Sequence, residues 1–166
     1  MEIILAVVAQ NLLSQRCSES IDALIVNYDD HDGTDNQVQM VEDSIRHAKE
    51  AIALDVKDGN SWYNLGNACL TRFFVTGACD HTKLLPSLKA YQNAEKDESM
   101  KSNPDLYFNS ATVNKYLENY ERALTGFQAA ALKDPGLNAS EEVEKMVSLL
   151  DKLANCSKVL QILNPL

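Results

Sequence analysis

The sequence predicts an all-α fold, a solenoid of paired helices closed by a C-terminal capping helix. Three observations point there. The stretch SWYNLGNACL, Ser61 to Leu70, sets Trp62 ahead of Leu65 and Gly66 on one helical face. A phase of about 34 residues links it to apolar positions on either side, and Ala123, Phe127, Ala130 and Pro135 carry the same pattern downstream. The composition, 45% apolar and 23% charged with six Gly and four Pro in 166 residues, is that of an ordered, helix-rich chain.

Trp62, Leu65 and Gly66 fit the first helix of a tetratricopeptide repeat, in which a wide side chain wedges between two helices and a glycine lets them approach. The elements follow in order from that frame. Residues 1 to 16 suit a helix with Ile4, Leu5, Val8, Leu12 and Leu13 on the face that packs. From Cys17 to Gln37 the pattern fails. Asp29, Asp30, His31, Asp32, Gly33 and Asp35 read there as an exposed acidic loop, without the ordered ligands of a calcium site. Residues 1 to 37 are therefore set apart as a divergent segment, and the repeats are expected over 38 to 166.

Residues 38 to 55 are the second helix of a repeat whose first helix is unrecognisable, with Val41, Ile45, Ala48 and Ile52 on its stripe. The next repeat covers about 59 to 101. Tyr91 and Ala94 take its second-helix positions, after an insertion around Phe74 to Lys83. A third repeat, about 104 to 137, has Tyr107 at the wedge position, Ala111 where glycine is usual, then Ala123, Phe127, Ala130 and Pro135. Ser140, Glu141 and Glu142 open an amphipathic helix to about 163, the expected cap of the last apolar face.

Net charge is −9 and the isoelectric point near 4.7, which removes the electrostatic footprint for nucleic acid or an anionic membrane and favours protein partners with basic side chains. The four scattered cysteines suit reduced thiols, and a cytoplasmic or nuclear chain is expected. Cys79, His81 and Cys69 lack the paired spacing of a zinc site and any group to orient a base, so neither a metal nor another cofactor is expected. No phosphate loop or triad is visible, and the chain reads as a non-enzyme.

In a superhelix of such repeats the first helices line a concave face. Here it carries Tyr63, Asn64, Asn67, Leu70 and Thr71, then Asp105, Phe108, Asn109, Thr112, Lys115 and Tyr116. Asn amides bond a peptide backbone, and aromatic rings supply rigid contact area. Asp105 stands where repeats that clamp a C-terminal carboxylate need a cation, so the ligand predicted is a basic segment. In Ser-Asn-Pro-Asp, Asp105 equally suits the first turn of a helix, and both roles stand together. The rival reading is a structural scaffold, or a co-chaperone-type repeat protein, with no peptide binding of its own.

Residues 38 to 153, through DSIRHAKEAIALDVKDGNSWYNLGNACL, FFVTG, LKAYQNAEK and SNPDLYFNSATVNKYLENYERALTGFQAAALKDP, resemble the tetratricopeptide repeat protein 5 (Strap) family. The resemblance implies a cytosolic and nuclear adaptor, a partner of stress-responsive transcription coactivators and a factor that recognises nascent tubulin on the ribosome. It implies that Asp105 pairs with a basic ligand residue and that the acidic residue the family uses after the last repeat is represented approximately, by Glu141 or Glu142. The family's groove Arg has no assignable counterpart. Family members carry further repeats and an OB-fold domain, so a truncated member is expected.

Overall fold

The computed structural model describes residues 2–26 and 34–163. Among them every regular element is helical: α1 Glu2–Val26, α2 Thr34–Leu54, α3 Gly59–Val75, α4 Leu85–Ala94, α5 Pro104–Tyr116, α6 Tyr120–Lys133 and α7 Ala139–Leu163. Short 3₁₀ turns at His81–Leu84, Glu98–Ser102 and Pro135–Leu137 join the later ones. Helices pack in sequence order as antiparallel neighbours, α1 on α2, α3 on α4 and α5 on α6, with α7 against α6. This is the predicted all-α solenoid. No described helix is long and apolar enough to cross a membrane.

Local chemistry sets the helix ends. Asp58 caps α3 by accepting from the Ser61 N–H at 2.8 Å, and Asn103 caps α5 by accepting from Asp105 and Leu106, with Pro104 as first helical residue. Asp97 accepts from the N–H of Gly59 at 2.8 Å and so ties the turn after α4 to the start of α3. The end of α3 turns back through Gly77, at φ +90°, as the Ala78 N–H reaches the Phe73 carbonyl and that of Gly77 the Phe74 carbonyl, both at 3.0 Å. The same closure ends α5 with a non-glycine, Glu118 at φ +60°.

The core is a row of three clusters rather than one centre. Val41, Ile45, Ala48 and Leu65 belong to the first; Phe73, Leu84, Tyr91 and Leu106 to the second; Ala111, Ala123, Phe127 and Met146 to the third. Trp62 packs against both of the first two, and its indole N–H donates to the Val56 carbonyl at 2.8 Å. Ala94, Ala123, Phe127 and Ala130 are fully buried, Tyr107 is half-buried, and Pro135 is exposed at the turn after α6.

Gly66 owes its place to Tyr91: a Cβ there would lie 2.3 Å from the Tyr91 ring. In the following repeat the frame puts Ala111 at the glycine position, and the clearance comes from the partner helix. A Cβ on Gly126 would lie 2.8 Å from that of Ala111.

The amino-terminal segment departs from expectation. Its helix runs on to Val26, and α2 already begins at Thr34. Leu5, Val8 and Leu12, expected to pack, are exposed, while Gln10, Ser14 and Cys17 are buried. The reason is polar: Ser14 accepts from Asn60 and Asn64, and the Cys17 thiol approaches the Asn64 carbonyl at 3.7 Å. So α1 packs on α2 and α3 and supplies the first helix that the 34-residue frame could not find. Asp29 to Gly33 lie outside the described residues. The insertion around Phe74 to Lys83 forms the end of α3, a turn from Thr76 to Asp80 and the 3₁₀ segment His81–Leu84.

Candidate functional site

Along α5, Asp105, Phe108, Asn109, Thr112 and Tyr116 recur at three- and four-residue steps and share one face. Asn67 on α3 faces them, and the two helices meet through amides. The Asn109 Nδ2 donates to the Asn67 Oδ1 at 3.1 Å, and the same oxygen accepts the Tyr91 hydroxyl at 2.8 Å. Tyr91 is fully buried, and burial, with Tyr63 nearby, pushes its phenol well above the ordinary value, so it stays a donor. In this arrangement the Asn67 Oδ1 points inward. The Asn67 Nδ2 and the Asn109 Oδ1 then have no partner among the described residues, one a donor and one an acceptor, as a peptide group requires.

Asp105 is exposed at the first turn of α5. Its backbone N–H is used by the Asn103 cap, and its carboxylate has no hydrogen-bond or ion-pair partner among the described residues. Both roles read for it in sequence are therefore physically compatible.

The other expected groove residues are partly engaged within the fold. Asn64 is nearly buried, its Nδ2 donating to the Ser14 hydroxyl at 2.6 Å and to the Ser14 carbonyl at 3.1 Å, so it serves the α1 contact and not an open face. α1 lies across that side of α3. Tyr63 is half-buried against the Tyr91 ring, with centroids 6.2 Å apart. Thr112 bonds back to the Phe108 carbonyl, and Phe108 meets Phe127 edge-on at 5.3 Å. Tyr116 joins Phe73, Phe74 and His81 in an aromatic cluster made possible by the insertion.

Lys115 reaches α7, where its Nζ lies 2.7 Å from Glu142 Oε2. Lys145 holds the other oxygen at 2.7 Å, and the two ammonium groups, Lys115 first, keep the Glu142 carboxyl below its ordinary range. Each oxygen of Glu142 thereby has an ammonium partner, and Glu141 is exposed. Sequence reasoning missed Tyr91 as the group that orients the amides; its aromatic position in the repeat frame was the only signal.

No protein-family model matches the chain. Among curated proteins it is 44% identical over 132 residues to tetratricopeptide repeat protein 5 of Bos taurus and 43% identical over 127 residues to that of Homo sapiens. These residues form a tetratricopeptide repeat protein 5-like repeat region. The matches take in 78% and 75% of this chain but only 29% and 28% of the relatives, so the chain spans less than a third of the length of tetratricopeptide repeat protein 5. The Mus musculus protein is 43% identical over 132 residues. Likeness to these repeat proteins supports an interaction role with protein partners in general.

Proposed function

We propose that the chain is an adaptor that holds a peptide segment along the α3–α5 face, with a basic side chain of the ligand against Asp105 and its backbone on Asn67 and Asn109. The observation that carries this reading is the exposed, unpartnered Asp105 carboxylate one helical turn from Asn109. Phe108 and Tyr116 extend the same face with rigid apolar area. The resemblance to tetratricopeptide repeat protein 5 makes the nascent tubulin amino terminus the first ligand to try, and transcription coactivators the second, in a cytoplasmic or nuclear setting.

Titration of a fluorescent tubulin amino-terminal peptide tests the reading. Asp105→Ala should weaken binding about tenfold, since a desolvated ion pair at a groove edge contributes about 1.4 kcal/mol. Equal binding by the parent and the variant removes Asp105 from the site. Replacing the peptide's basic residue by Gln should reproduce the loss in the parent and have little further effect in the variant.

A further inference from the structure

Behind the groove, on the other side of α5, α4 and α6 stand apart and leave an open trough of about 530 Å³. Its floor is α5 itself, through Tyr107, Ser110, Ala111 and Asn114, which lie about 180° around the helix from Asp105, Asn109, Thr112 and Tyr116. The size falls within the range of sites that enclose a ligand group.

One wall carries Glu95, the residue that ends α4. It is half-buried and has no hydrogen-bond or ion-pair partner among the described residues. Burial pushes its carboxyl above the ordinary range, and a negative charge at a helix C-terminus opposes the helix dipole. Arg122 lines the same trough without forming an ion pair to it. Ser110 is nine-tenths buried, and its hydroxyl makes no hydrogen bond among the described residues. A carboxylate that is half-buried, wrongly placed for its helix and unpaired is the arrangement a cation would relieve.

We propose that this trough is a second docking site, which takes a lysine or arginine side chain of a protein partner, its head on Glu95 and its stem along Ala111, Gly126 and Ala129. The lining supplies two carboxylates, Glu95 on one wall and Glu121 on the other, beside the apolar Ala111, Gly126 and Ala129, and no cluster of metal-binding groups among the described residues, which suits an organic cation on an apolar stem. A ligand here leaves the concave face open, so the chain bridges two partners.

The test is an NMR titration of the whole chain with acetyl-Leu-Ala-Arg-Ala-Leu-amide, read at the Ser110, Thr125 and Gly126 amides. Saturable shifts are expected there, with an affinity at least fivefold weaker, roughly, when citrulline replaces arginine or Glu95→Gln replaces the parent. Asp105→Ala should leave these shifts intact, which separates the trough from the groove. No saturable shift up to about 10 mM peptide overturns the proposal, as do equal affinities in Glu95→Gln. Butylamine reproducing the full effect would show a small-cation site and overturn it too. Because Glu95 is unsatisfied, Glu95→Gln should melt no lower than the parent; a marked drop contradicts the assignment.

Discussion

Gly66 and Tyr91 meet where α3 crosses α4, and the contact leaves no space for a methyl group. Gly66→Ala should cost about 1–3 kcal/mol, because the clash falls on a ring that is itself fully buried. Calorimetry would show a melting point lower by several degrees; an unchanged one would mean that the crossing is looser than it looks. The cysteines test the other end of the chain. Burial, with Cys69 nearby, pushes the Cys17 thiol up to about 12, and burial raises Cys69 as well, whereas Cys79 and Cys156 are exposed. Since the thiolate is the nucleophile, iodoacetamide at neutral pH should label Cys79 and Cys156 in the folded chain and the buried pair only after unfolding, as mass spectrometry would show. Fast labelling of Cys17 would mean that α1 is not docked.

At the scale of elements, the Lys115–Glu142 bridge joins α5 to α7 across 27 residues of sequence. The Glu142 carboxyl is depressed, so its contribution is present above its ordinary value of 4.5 and disappears as pH falls through the lower folded value. With Lys115 about one-third exposed, the effect is about 0.5–1 kcal/mol. Glu142→Gln should therefore be less stable than the parent at pH 7, with the difference shrinking as acid titrates the depressed carboxyl, in denaturant melts; a constant difference would rule out the ionic origin. Such a bridge leaves no local trace in sequence, unlike the apolar phase that revealed Leu65, Ala123, Phe127 and Ala130. The docked face of α1 was hidden for a related reason. Gln10, Ser14 and Cys17 are buried, with Ser14 accepting from Asn60 and Asn64 and the Cys17 thiol reaching the Asn64 carbonyl, and hydrophobic periodicity is blind to a face that carries such residues. Asn64 was misplaced in the same step, whereas the repeat frame did bring Asn67 and Asn109 to one face.

For the whole molecule, the row of clusters implies stability that is local and propagates only to neighbours. Trp62 couples the first two clusters, while among the described residues no core side chain is shared by the second and third. Phe127→Ala, a cavity change worth about 3–5 kcal/mol, should thus release α6 and α7 while α2 and α3 stay closed. Hydrogen exchange would show faster exchange confined to residues beyond Asn119; uniform acceleration would mean a single cooperative unit. The exchanged clearance at Gly66 and Gly126 has a consequence for how such chains vary over generations. What persists from one crossing to the next is an empty volume, and either helix can provide it. A bulky change on one strand of inheritance is then answerable by a small residue on the facing helix, so the two positions should drift as a pair while neither alone looks constrained.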